Sequence, residues 1–282
     1  MLWRILLIII SIIITYISST CGNSPIIPSR FRNRLRQKQN RQIKSSWKPY
    51  LADIERVDID NKMIKKHICN GAIINEKFVL TSGSCIDKLD INEIGIRVGS
   101  RRAQVGGIIK VVSKKIMHPW FYETKHAPVT HDLALLKMNR SLGWTDDVLP
   151  IPKLADGDTP IPGTSITILG WDPDHGMVYE DNYSDENDVL DIKSLAGVVM
   201  SNDECQKEYD KVVEIKSWMI CIKYSSVTSE SCFESQGAPL VHNNILYGIR
   251  MPRIPGADCS KPDIFMLIKN TRVWINYVSK HV

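Results

Sequence analysis

The length of its apolar runs constrains this chain most. From about Trp47 onward they are short: "AIINEKFVLTS", "GGIIKVVSKKIM", "LALLKM", "TSITILGW" and "LYGIRM", separated by Gly, Pro, Asn and Asp. Runs of this kind, regularly spaced between turn residues, predict an all-β barrel or sandwich. A stretch with Pro150, Pro152, Pro160 and Pro162 divides the region into similar halves. One helix is expected, at the C-terminal end, over "NTRVWINYVSK". Asn270 or Thr271 would be its N-cap, and Val273, Trp274, Tyr277 and Val278 would share one face.

The first twenty residues have a different texture. Arg4 precedes the apolar run "ILLIIISIIITYI" and the small residues "SST". That order matches a secretory signal peptide over 1–20, cleaved near Ser19, Thr20 or Cys21; an uncleaved signal anchor is the alternative. Secretion to the extracellular space is therefore expected. Residues 21–46 are Arg-rich and interrupted by Pro25 and Pro28, and no acid precedes Asp53. Eight of the 36 basic residues fall in this N-terminal portion, so the remaining 28 face all 31 acids. The formal charge of +5 thus belongs to a basic, flexible arm and not to a folded face. Such an arm suits heparin-like anionic polysaccharide, acidic protein or membrane headgroups, or serves as a solvated spacer. Nucleic acid is not an expected partner, because aromatic platforms and base-reading motifs are lacking.

Six of seven cysteines follow the leader: Cys69, Cys85, Cys205, Cys221, Cys232 and Cys259. In an oxidising compartment an even set reads as a disulfide framework, with fifteen possible pairings. Without a CxxC or HxxxH pair, no zinc or other metal site is expected, and no cofactor is implied.

Several motifs then match one family in order. "CNGAIINEKFVLTSGSC" is similar to "CGGSLI...WVLTAAHC", "HDLALLKM" to "NDIALLKL", and "LGWD" to "SGWG". "ESCFESQGAPLV" is similar to "DSCQGDSGGPLV", and "CSKPDIFMLI" to "CAxxxxPGVYTxV". From Trp47 to Val282 the chain resembles the trypsin/chymotrypsin family of serine proteases. The resemblance implies a trypsin-like domain over 47–282, built as two six-stranded antiparallel β-barrels with a cleft between them and a C-terminal helix. It also implies the bridges Cys69–Cys85, Cys205–Cys221 and Cys232–Cys259. The first two would close loops of about 15 residues, where chain-entropy arguments give roughly 3 kcal/mol each.

Acyl transfer on this scaffold needs a nucleophile, a base, a carboxylate to orient the base, and N–H donors for the oxyanion. By resemblance the base position is Ser84, the carboxylate is Asp132 and the nucleophile position is Gln236. Neither a hydroxyl nor a neutral amide can replace an imidazole or a serine there. Glu234 stands where the family has a glycine beside the oxyanion hole, and its charge has the wrong sign. Ser235 replaces the Asp that captures a freed amino terminus, and no "IVGG"-like sequence lies upstream. A register placing Ser235 as nucleophile would still lack a base, and His131 should point away from the side that Asp132 faces. Glu230 and Asp263 occupy specificity-pocket positions. The expectation is a filled or collapsed pocket with these acids solvated.

The segment from Asp172 to Asp191 carries eight acids and reads as a variable loop beside the cleft. Asn139 and Asn182 open glycosylation sequons. The functional expectation is a secreted, catalytically inactive protease homologue that binds an extracellular protein, a protease or its substrate, as regulator, cofactor or decoy in a protease cascade. The alternatives are a peptidase with unusual catalytic residues, and an adhesion or matrix protein using the basic arm.

Overall fold

The structure is a computed structural model that describes residues 48–58, 64–122, 130–171, 191–210, 212–224, 235–254, 257 and 259–282. The leader, the basic arm, the acidic segment up to residue 190, Asn182, Glu230, Cys232 and Glu234 lie outside the described residues. Among the described residues no helix is long and apolar enough to cross a membrane.

Six strands make up the first half: β1 (Leu51–Val57), β2 (Ile64–Ile73), β3 (Phe78–Thr81), β4 (Ile94–Val98), β5 (Ile108–Met117) and β6 (Ala134–Met138). They close into an antiparallel barrel in the order β1-β2-β3-β6-β5-β4. Strand alternation sorts the side chains. Ala52 and Ile54 join Ile73, Val79, Ile96, Ala134 and Leu136 in the core, while Asp53 and Glu55 between them take the other face. The β2–β3 turn is fixed by Asn75, whose Oδ1 accepts from the Lys77 and Phe78 backbone N–H groups at 2.9 and 3.0 Å.

The second half departs from expectation. Strands β8 (Ser165–Gly170), β9 (Lys193–Met200), β10 (Met219–Tyr224), β11 (Pro239–His242), β12 (Ile245–Arg250) and β13 (Asp263–Leu267) lie in the order β11-β12-β13-β10-β9-β8. Short β7 (Lys153–Leu154) joins as a parallel partner of β12. Among the described residues this is an open, curled sheet, so one closed barrel is formed and not the two expected. The edge strand β11 has only four residues, begins at Pro239, which has no N–H to give, and is interrupted by a bulge after Leu240. At the other edge β8 pairs with β9 alone among the described residues.

Among the described residues two α-helices accompany the sheets. α1 (Asn202–Glu208) was not expected, although Ser201 and Glu204 form a capping box that its "SNDE" spells out. α2 (Arg272–His281) follows Thr271. It buries Ile275 and Val278, whereas Val273 and Tyr277 are 83% and 64% exposed, so the expected face was rotated by about one position. The bridges Cys69–Cys85 and Cys205–Cys221 are formed. Cys259 is disulfide-bonded to a partner outside the described residues.

The outward face of β1, β2 and β4 carries a buried ionic cluster. His67 Nδ1 lies 2.5 Å from Asp53 Oδ1, and Arg97 Nε donates to Glu55 Oε1 at 2.5 Å. The Gln104 N–H points between the two carboxylates, at 3.0 Å from Asp53 Oδ2 and 3.1 Å from Glu55 Oε1. Burial would raise the Asp53 carboxyl, but the adjacent His67 outweighs it and holds it low. Burial, then the Asp53 charge, push Glu55 up to about 8 against the pull of Arg97. A carboxyl raised in the folded state contributes stability that is complete below its ordinary value of 4.5 and is lost as pH rises through about 8. Thermal melts from pH 6 to pH 9 should therefore show a falling midpoint, and Glu55→Gln should flatten that fall. An equal slope in the variant would mean that Glu55 is ionised throughout.

Candidate functional site

Strand pairing assembles the site. Thr81, the last residue of β3, pairs with Ala134, the first of β6, so Ser82, Ser84 and Asp132 emerge at the same end of the barrel. The Cys69–Cys85 bridge ties the Ser84 turn to β2. Gln236 arrives from the other half, just ahead of β11, where its carbonyl accepts from the Asn70 N–H at 2.8 Å.

The three expected positions, Ser84, Asp132 and Gln236, meet in one hydrogen-bonded network. Gln236 Nε2 donates to Ser84 Oγ at 2.7 Å and to Ser82 Oγ at 2.8 Å. Asp132 is fully buried; its Oδ1 accepts from the Ser84 N–H at 2.7 Å and its Oδ2 from the Ser82 hydroxyl. With its proton given to Asp132, Ser82 Oγ can only accept in its 3.1 Å contact with Ser84, so Ser84 is the donor there. Both amide protons of Gln236 and both hydroxyl protons are thus committed. The network holds no imidazole, and its one carboxylate, Asp132, is already held by two donors.

His131 offers no substitute base. Its backbone is left-handed (φ 46°), and its ring stacks between His118 (5.0 Å) and Trp218 (5.2 Å). The histidine is part of an aromatic stack. Burial lowers both histidines. His118 falls to about 4, through burial first and the neighbouring His131 second.

Ser235 is buried, and its hydroxyl has no hydrogen-bond partner among the described residues. Beside it, the side chain of Asn70 joins the two halves. Its Nδ2 donates to the Trp171 carbonyl at 3.0 Å and its Oδ1 accepts from the Trp171 N–H at 2.8 Å. Gly170 and Gly237 pack against this residue, and neither has room for a Cβ. Asn70→Ala removes these bonds from a fully buried position and should cost about 2–4 kcal/mol in denaturant unfolding. A loss under about 0.5 kcal/mol would mean the junction is held elsewhere.

The expectation that Asp263 is solvated is also corrected. It is buried at the start of β13, where Arg250 donates from Nε to Oδ2 at 2.8 Å and from Nη2 to Oδ1 at 2.7 Å. The Tyr224 hydroxyl donates to Oδ2; burial and then the Asp263 charge hold that phenol far above its usual range. A buried carboxylate persists here because it is paired.

The trypsin family model matches residues 37–275. The chain belongs to the trypsin family. Among curated relatives it is similar to trypsin 5G1 of Aedes aegypti, 28% identical over 214 residues and covering 76% of each chain. It is also similar to serine proteinase stubble of Drosophila melanogaster, 30% identical over 74% of this chain but only 27% of that protein. Among solved structures, scabies mite inactivated protease paralogue S-I1 shares the fold with a TM-score of 0.66 at 22% identity, covering 83% of this chain and 95% of that one. Neuropsin, a serine protease of mouse brain, does so at 0.63 and 22%, over 82% and 95%.

Within this trypsin-family frame, sequence reasoning missed Ser82, Asn70 and Arg250. The first two had a visible signal, since "SGSC" and "CNGA" place polar residues where the family text reads "AAHC" and "CGGS". Arg250 had none, because its partner is set by the pairing of β12 with β13.

Proposed function

We propose that this trypsin-family chain is a secreted, non-catalytic serine protease homologue that acts by binding protein in the extracellular space. The observation that carries the reading is the closed network of Ser82, Ser84, Asp132 and Gln236, whose groups are already hydrogen-bonded to one another where the sequence resemblance expects the catalytic residues. The likeness of its fold to two scabies mite inactivated protease paralogues, S-I1 and S-D1, supports the same reading. Secretion is supported by the leader and by the two formed disulfides. An extracellular protease or its substrate is the partner class that a retained but inert cleft fits, with regulation, cofactor action or decoy binding as the role. The basic arm at 21–46 adds a route to anionic polysaccharide.

Two measurements test this. Arg, Lys, aromatic and small-residue ester substrates should all remain uncleaved by the intact chain. The same chain, immobilised, should retain a protein from extracellular fluid that an unrelated β-protein does not. Turnover abolished by Gln236→Ala would overturn the reading. Asn139 is exposed at the turn after β6, so secreted material should carry a glycan removable by an endoglycosidase and absent from Asn139→Gln. Unchanged mobility of the wild-type chain would show that this sequon is unused.

A further inference from the structure

The aromatic stack around His131 takes no part in the Gln236 network but adjoins it. Three rings lie face to face. His118 and His131 have centroids 5.0 Å apart and planes within 9° of parallel, and Trp218 covers the other side of His131 at 5.2 Å. Trp120 meets both histidines edge-on, and Trp274 of α2 meets His118 edge-on at 4.8 Å. The five rings come from four places: the end of β5, the turn before β6, the turn before β10, and α2. The cluster therefore fastens the second half and α2 to the barrel end from which Asp132 emerges. His118 N donates to the Leu133 carbonyl at 2.9 Å, and Leu133 N donates to the His131 carbonyl at 2.7 Å. Asp132 thus lies within a main-chain clasp between the two histidines.

The cluster is built for neutral imidazoles. His118 Nδ1 accepts from the Trp120 N–H at 3.2 Å, which a protonated nitrogen cannot do. His131 Nδ1 and Trp218 Nε1 are buried without a hydrogen-bond partner among the described residues. Among the same residues, the charge that acts on His118 is that of His131. The turn before β10 and α2 present Trp218 and Trp274 to the pair, and the Asp132 carboxylate is turned to Ser82 and Ser84. Two protonated rings held in parallel would repel each other with no carboxylate to offset them.

We infer that this cluster is an acid-sensitive latch, closed while its histidines are neutral and opened when the pair is protonated. Opening frees α2 from the barrel and loosens the turn that presents Asp132. An imidazole depressed as His118 is contributes stability that is complete above its ordinary value of 6.5 and is lost as pH falls toward about 4. The latch stands on its own geometry. That acid would also release a protein held at the cleft rests on the reading of the cleft as a binding surface.

Hydrogen exchange on the intact chain tests the latch, with protection corrected for the intrinsic effect of pH on exchange. Amides of α2 such as Ile275, bonded to the Thr271 carbonyl at 3.0 Å, should lose at least about tenfold in protection between pH 7 and pH 4.5. The buried Val79 and Leu80 of β3 should keep theirs. His118→Phe keeps a ring in the stack and leaves no like charge beside His131, so it should cut the α2 loss to under about threefold. Unchanged α2 protection in the parent, or an equal loss in β3, would overturn the inference, as would an equal α2 loss in His118→Phe. Should that variant fail to fold, NMR of the parent decides. The Hε1 resonances of His118 and His131 should shift with the same midpoint as the loss of α2 protection. Titration of both rings with α2 protected throughout would overturn the latch.

Discussion

The Ser84→His/Gln236→Ser double variant, beside native Asp132, should cleave Arg and Lys esters at least about 10³-fold more slowly than an active trypsin. Counting triad residues alone would predict a working enzyme. The geometry says otherwise, because Asp132 already has both oxygens engaged, one by the Ser84 N–H and the other by the Ser82 hydroxyl. A new imidazole would have to compete with Ser82 for the carboxylate meant to orient it. Ser235 supplies no carboxylate to capture a freed amino terminus, and its buried hydroxyl has no partner among the described residues. Behind the site, Arg250 and Asp263 are engaged with each other through two hydrogen bonds. Adding Ser82→Ala should raise the rate without bringing it to the level of an active trypsin. Steady-state kcat/KM on ester substrates checks both statements. Efficient turnover by the double variant would mean that catalysis was lost through the triad alone.

The second large effect is on stability. His67→Ala should cost about 3–5 kcal/mol, since it leaves the fully buried Asp53 without its nearest partner. The Asp53→Val/His67→Leu double variant should recover most of the loss, because two apolar side chains carry no desolvation penalty. Urea unfolding of the parent, Asp53→Val, His67→Leu and the Asp53→Val/His67→Leu double variant gives the coupling energy directly. A coupling near zero would show that the 2.5 Å contact contributes nothing to folding.

Much of the cleft could be read before the fold was known, for a physical reason. Ser84 sits one residue before a disulfide cysteine, Asp132 two residues before a core strand, and Gln236 three residues before Pro239. Each is fixed locally, and pairing of Thr81 with Ala134 then brings two of them to the same end of the barrel. Closure of the second barrel is another kind of property. It would require β8 to pair with β11, some seventy residues away, and nothing in either run shows that Pro239 and the bulge after Leu240 leave that edge open. The same distance hid the polar contacts. Asn70 meets Trp171 across 101 positions, and Gln236 meets Ser82 across 154. The outward turn of Val273 and Tyr277 was misread because Trp274 and Val278 fit either of two neighbouring helical faces.

The central claim is that no activated nucleophile exists at the Gln236 position. The most direct measurement is the intact mass of the chain after prolonged exposure to excess fluorophosphonate, with an active trypsin treated in parallel. The account predicts that the trypsin gains one phosphonyl group while this chain keeps its mass unchanged. A single stoichiometric adduct that maps to Ser82, Ser84 or Ser235 would contradict it.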